Sequence, residues 1–283
     1  MSLAAGIQVE QLTSGQYDTV YNLLSLAIAS LFFTGLYLVL SQKNVLPRYK
    51  NALIVSATVC FIATYHYVRI FDNFKESYES TALGGQGTYE LTNVVFNEGY
   101  RYVDWFLTVP LLLVETIAVL ALTRAAAKPL LVKLVIASGL MIALGYPGEI
   151  TTDTGTRLLW GTLSTIPFIY ILYVLFVEMS KSLERQPAEV RGTIRRLQVM
   201  LVGLWGVYPI AYLMPVLGFD GPQAFVLRQA GYSIADILAK AAFGLVIYKI
   251  ARMKSMADQP GFGAHDGDDN FDAPLERTPA PQR

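Results

Sequence analysis

Gly231-Tyr-Ser-Ile-Ala-Asp-Ile-Leu-Ala-Lys-Ala-Ala-Phe-Gly-Leu-Val-Ile-Tyr248 is the stretch whose reading decides the fold. It is apolar over nearly the 20 or so residues that cross a bilayer, yet Asp236 and Lys240 stand near its middle. Spaced i, i+4, their side chains leave one face of a helix one turn apart. A charge at bilayer depth costs about 2.5–3.5 kcal/mol on insertion scales, so charges that persist there usually pair and usually serve function. An isolated pair reads equally well as a structural ion pair inside a bundle, and the rest of the chain has to decide.

The 283 residues are 53% hydrophobic with a formal net charge of +0, and the mean hydropathy is +0.41. A soluble chain of this length is rarely so apolar. The balanced charge excludes a strongly basic nucleic-acid binder. Seven apolar spans are expected, near 17–41, 49–74, 97–122, 129–147, 155–182, 193–217 and 224–254. Their short linkers favour antiparallel neighbours. The expected class is therefore all-α, a seven-transmembrane helix bundle over 17–257 embedded in membrane lipid. An extracellular segment, 1–16, precedes it, and a disordered tail rich in Pro, Gly and Asp, 258–283, follows.

Thr81-Ala-Leu-Gly-Gly-Gln-Gly-Thr-Tyr-Glu-Leu-Thr92 suggests a short extracellular β-hairpin between the second and third spans. Met1 to Tyr17 is polar, so the first apolar run, from about Val20, is expected to stay as a helix rather than serve as a signal peptide. Cys60 is the single cysteine and sits in an apolar run, where packing is its expected role. His265 in the tail has no cluster of ligands around it, and no metal site is expected.

Basic residues gather in alternate loops. Lys43, Arg48 and Lys50 lie on one side, with Arg124, Lys128, Lys133, Lys181, Arg185, Arg191, Arg195, Arg196, Lys249, Arg252 and Lys254. Asp72, Glu76, Glu79, Glu90, Glu149, Asp153 and Asp220 lie in the other loops. By the positive-inside rule the N-terminus is outside and the C-terminus cytoplasmic.

The third span reads Arg101-Tyr-Val-Asp-Trp-Phe-Leu-Thr-Val-Pro-Leu-Leu-Leu-Val-Glu115. Gaps of 3, 4 and 7 put Arg101, Asp104, Thr108 and Glu115 on one stripe, which should face the bundle interior. Glu115 follows Asp104 by 11 residues, roughly 16 Å along the axis toward the cytoplasm. Lys240 and Arg101 balance Asp104 and Asp236, as a low-dielectric interior demands. Glu115 falls outside that balance. Set behind Leu111 to Val114, it is expected to keep its proton.

Asp236-Ile-Leu-Ala-Lys240 on the last span and Arg101-Tyr-Val-Asp-Trp105 on the third resemble the microbial (type 1) rhodopsin family, over about residues 17–254. The resemblance implies all-trans retinal carried on Lys240 as a protonated Schiff base, with Asp104 and Asp236 as counterions. Trp105, with Trp205, Tyr208, Pro209 and Tyr212 of the sixth span, would wall the polyene; without that lysine the stripe would read as plain core. Asp104, Thr108 and Glu115 match the proton acceptor, threonine and proton donor of proteorhodopsin-type outward proton pumps. His66, in Tyr65-His-Tyr-Val-Arg69, is the implied partner of Asp104.

Tyr146-Pro-Gly-Glu149, Trp160-Gly-Thr-Leu-Ser-Thr-Ile-Pro167 and Trp205-Gly-Val-Tyr-Pro209 resemble the xanthorhodopsin-like branch. There a glycine, here Gly161, opens a window for a keto- or hydroxylated carotenoid antenna. The alternative for Gly161 is simple close helix packing. Leu112 matches the position where leucine accompanies green absorption, and Glu149 is a candidate proton-release group. The resemblance also implies an ion transporter rather than an enzyme, in a prokaryotic plasma membrane, as a pentameric or trimeric homo-oligomer. A photosensory rhodopsin signalling through a partner protein is the alternative, against which the retained Glu115 argues. A retinal-free bundle is a third reading.

Overall fold

The computed structural model describes residues 9–81, 87–119, 122–219 and 221–262. Residues 1–8, the glycine-rich tip expected at 82–86, Asp220, and the tail beyond Phe262 with His265 lie outside the described residues.

Seven spans form one bundle. The first five are α1 (Ser14–Leu40), α2 (Pro47–Ser77), α3 (Gly99–Val119), α4 (Arg124–Glu149) and α5 (Thr154–Ser182). The sixth is α6 (Ala188–Trp205) continued by α7 (Val207–Tyr212). The seventh is α8 (Gly221–Asp236), a π-helical turn (Ile237–Ala242) and α9 (Phe243–Asp258). Among the described residues, four of them, the first, second, fourth and fifth, are long and apolar enough to cross a membrane by length and composition alone. The third and seventh carry the buried charges, and the sixth opens with exposed Arg191, Arg195 and Arg196 and is interrupted after Trp205.

Local chemistry sets the ends. Thr13 and Gln16 close a capping box on α1: Gln16 N–H donates to Thr13 Oγ1 at 3.3 Å, and Thr13 N–H donates to Gln16 Oε1 at 2.9 Å. Pro47 opens α2, where its missing N–H costs nothing. Asp153 caps α5 by accepting from Thr156 N–H at 2.6 Å. The sixth span breaks between Trp205 and Val207 because Pro209 cannot donate to the Trp205 carbonyl one turn back. It ends at Tyr212 rather than at 217, since Pro215 likewise leaves the Ala211 carbonyl without its helical donor. The last helix runs on to Asp258, one residue into the stretch expected to be tail, where Asp258 pairs with Arg48 at 2.7 Å.

The expected hairpin is present as β2 (Tyr78–Ser80) and β3 (Thr88–Leu91). It is one strand larger than expected: β1 (Gln11–Thr13) pairs antiparallel with β3, in register Gln11 with Glu90, giving the order β1-β3-β2. An aromatic cluster packs beneath the sheet, with Tyr17 stacked on Tyr89 at 3.7 Å between centroids and on Phe74 at 4.9 Å.

The bundle is apolar outside and charged inside. Ile166 and Tyr173 are 64% and 66% exposed, whereas Asp104, Glu115 and Lys240 are buried to 2% or less. In water this pattern would be unstable; in hydrocarbon it is the arrangement that minimises cost. The chain is a multi-pass membrane protein.

Candidate functional site

The seventh span presents Asp236 and Lys240 from adjacent turns, and α3 presents Asp104 opposite them. Lys240 Nζ donates to Asp104 Oδ2 and lies 3.0 Å from Asp236 Oδ1. The π-helical turn Ile237–Ala242 contains Lys240. Such turns occur mostly as single insertions in α-helices, often at functional sites.

The two carboxylates are held differently. Asp236 accepts from Tyr208 Oη at 2.6 Å, Tyr67 Oη at 2.8 Å and Trp105 Nε1 at 3.1 Å. Asp104 has the lysine on Oδ2 and leaves Oδ1 buried without a partner. Thr108 donates to the Asp104 main-chain oxygen at 2.8 Å and not to its carboxylate.

Arg101 reaches the centre indirectly. Its Nη1 donates to Tyr67 Oη at 2.8 Å, and Tyr67 in turn donates to Asp236. Its guanidinium lies 5.1 Å from the Tyr67 ring centroid and 5.6 Å from that of Tyr232. His66 is buried on α2 with Nδ1 unpartnered, and the structure shows no hydrogen bond or ion pair between it and Asp104. Each of the two thus carries one buried polar atom with nothing to bond.

Glu115 sits deeper along α3, where Leu112, Leu113 and Ile117 of the same helix are buried as well. Its Oε2 accepts from the Ser56 hydroxyl of α2, and its Oε1 has no partner. So the stripe expected on α3 does face inward: Arg101, Asp104, Thr108 and Glu115 are each at most 1% exposed.

From Lys240 a cavity of about 450 Å³ runs between the third, fourth, fifth and sixth spans. That lies within the range of small-molecule sites. Trp105, Leu112, Gly161, Trp205, Tyr208, Pro209 and Tyr212, the positions singled out from sequence, all line it. Trp105 meets Tyr208 edge-on at 5.3 Å and Tyr232 at 5.0 Å between centroids. The donor set fits a long apolar polyene aldehyde: aromatic walls, and one amine at the closed end flanked by two anions.

Residues 19–253 match the sequence model of a family described as bacteriorhodopsin-like protein. The chain belongs to that family. It is similar to the green-light absorbing proteorhodopsin of a gamma-proteobacterium, 29% identical over 234 residues that span 81% of this chain and 85% of that protein. Among solved structures, xanthorhodopsin, described as a light-driven ion pump with dual chromophore, superposes with a TM-score of 0.82 at 43% identity. The match covers 89% of this chain and 99% of that one. Thermophilic rhodopsin superposes with a TM-score of 0.83 at 44% identity, over 89% and 100% of the two chains. Together they mark a microbial rhodopsin of the xanthorhodopsin-like type.

In this rhodopsin a second charged layer lies beyond Arg101, and the sequence reading missed most of it. Arg228 Nη2 pairs with Glu98 Oε1 at 2.9 Å, and Arg228 Nη1 lies 3.4 Å from Glu149 Oε1. Gln229 Nε2 donates to Glu98 Oε1 at 2.6 Å, and its Oε1 accepts from Arg101 Nη2 at 2.8 Å. Tyr232 and Tyr102 donate to Glu149 Oε2 at 2.9 and 3.2 Å. Arg101 itself is 3.8 Å from Glu98. The expected balance of two cations with two acids therefore extends. Arg101, Arg228 and Lys240 face Glu98, Asp104, Glu149 and Asp236, all buried, and a fourth buried cation, Arg157, lies beside Glu149 with its donors on main-chain oxygens.

Tyr67 is the joint between the two layers. Tyr67→Phe leaves Arg101 and Asp236 each one hydrogen bond short, a cost of about 1–3 kcal/mol for the unsatisfied buried groups. The expected outcome is a lower thermal unfolding midpoint together with a displaced visible absorption band. An unchanged midpoint and band would show that the relay carries no energy.

Proposed function

We propose that this rhodopsin is a light-driven outward proton pump with all-trans retinal on Lys240 as a protonated Schiff base. The observation that carries the reading is a buried lysine bonded to an under-satisfied carboxylate, with a second, isolated carboxylic acid farther along the same helix. Retinal, when bound, supplies light-driven isomerisation and leaves one exchangeable proton at Lys240 Nζ.

The chain's own residues then set the path. Three neutral donors hold Asp236 as an anion, so it serves as the fixed counterion. Asp104 has one oxygen on Lys240 Nζ and the other unpartnered, and it takes the proton. His66 makes no bond to Asp104 here, and its free Nδ1 leaves it available to share the proton that Asp104 takes. Arg101 and Thr108 hold Asp104 and its surroundings in place. Glu115, buried and touched by the Ser56 hydroxyl, returns a proton to Nζ.

Direction follows from the loops. The basic loops lie at the Glu115 end and the acidic ones at the Asp104 end. Glu115 therefore refills from the cytoplasm and Asp104 discharges outward across a prokaryotic plasma membrane. The retained donor favours a pump over a photosensor, because fast reprotonation serves turnover. We further assign the opening at Gly161 to a keto- or hydroxylated carotenoid antenna. The cavity there reaches the lipid-facing Ile166 and Ile169, and the similar xanthorhodopsin is described as having a dual chromophore. A pentamer or trimer is the expected assembly.

Illuminated cells carrying the native chain should acidify their medium, and Asp104→Asn should abolish that signal. In Glu115→Gln, recovery of the Nζ proton should slow by at least tenfold, about 1.4 kcal/mol on the barrier, and added azide should restore it. Undiminished acidification by Asp104→Asn removes Asp104 as acceptor. A native recovery rate in Glu115→Gln removes Glu115 as donor.

A further inference from the structure

Tyr212 lines the cavity that also reaches Lys240, and Arg157 bonds to it from behind. Tyr212 ends α7 with its ring seated between two bare backbones, Gly148 of α4 and Gly161 of α5. A Cβ built on Gly161 would stand 2.8 Å from Tyr212 Cε1, and one on Gly148 would overlap the Tyr212 hydroxyl. Only glycine at both positions leaves this seat open.

The seat is locked by reciprocal bonds. Tyr212 Oη donates to the Arg157 carbonyl at 2.8 Å, and Arg157 Nη1 donates to the Tyr212 carbonyl at 3.0 Å. The same guanidinium lies 5.1 Å from the Tyr212 ring centroid and donates to the carbonyls of Glu149 at 2.9 Å and Thr151 at 3.2 Å. Arg157 is 2% exposed, and among the described residues it makes no ion pair within 4.0 Å. A buried cation is costly unless its donors are used. Here they are used on main-chain oxygens that join the end of α4, the loop after it and the end of α7 to the first turn of α5.

The cavity beside this lock opens sideways. Its wall includes buried Lys240 as well as Ile166 and Ile169, which are 64% and 59% exposed on the lipid face of α5. Tyr212 lines the same cavity, against Gly161 and about one and a half to two turns of α5 from those two isoleucines. We propose that Tyr212, latched by Arg157 into the Gly148–Gly161 seat, gates the entry of the retinal polyene from the bilayer, with Arg157 as the positioning residue. The inference rests on the retinal reading above and adds the route by which an apolar aldehyde reaches the lysine.

The test uses full-length protein made without retinal and placed in lipid nanodiscs. All-trans retinal is added from lipid, and growth of the visible band is followed in time. Tyr212→Phe removes the donor to the Arg157 carbonyl, and Arg157→Lys keeps the charge but loses the forked donors. Each should speed uptake about fivefold, the factor for losing one hydrogen bond of about 1 kcal/mol. A second readout separates a latch from general loosening: bleaching of the formed pigment in the dark by hydroxylamine, a polar reagent arriving from water. Faster uptake with unchanged bleaching supports the latch. Native uptake rates in both variants overturn it, as does an equal acceleration of uptake and bleaching. Absence of any band in the native protein overturns the retinal reading itself, and the latch with it.

Discussion

An ammonium group cannot sit unpaired in the middle of a bilayer, and everything near Lys240 follows from that constraint. Two carboxylates from different spans meet it, Asp104 from α3 and Asp236 from its own helix. Two acids around one amine would leave an excess of negative charge. Arg101 supplies the second cation, but at one remove through Tyr67. Arg101 in turn needs acceptors and finds Gln229 and Glu98, and Glu98 needs Arg228. The chain of obligations ends at Glu149, where two tyrosines and Arg228 meet. A single buried charge thus organises three of the seven spans and the end of a fourth.

That network is asymmetric. Asp236 is enclosed by three donors, and Asp104 is not. Glu115 belongs to neither charged layer. It is buried, with one serine hydroxyl as its hydrogen-bond partner. Acids of one chemical type are thereby given three different environments, and different environments suit them to different roles.

Much of this was legible in the sequence because it depends on spacing along single helices. The seven apolar spans, the inward stripe of α3 and the Asp236–Lys240 face each follow from helical periodicity. The pocket aromatics of the sixth span, Trp205, Tyr208 and Tyr212, also shared one face and do line the cavity. What escaped depends on contacts between helices or on the backbone. Glu98 and Arg228 lie near span ends, where charges are ordinary, so nothing marked them as a buried pair. Tyr67 looked like any tyrosine beside His66. The π-helical turn around Lys240 has no proline or glycine to announce it, and β1 is only three residues long. The resemblance pairs His66 with Asp104, whereas the structure leaves the two unbonded, each with one free polar atom. The missing side chain at Gly161 suggests an opening from sequence; in the structure Tyr212 packs against that position.

The central claim is that residue 240 carries the chromophore between two anions. The most direct measurement is to reduce the retinal-reconstituted protein with borohydride in the light, digest it and locate the added mass. The account predicts a retinyl group on the peptide containing Lys240 and on no other lysine. A retinyl group elsewhere, or none after a coloured pigment has formed, would contradict it.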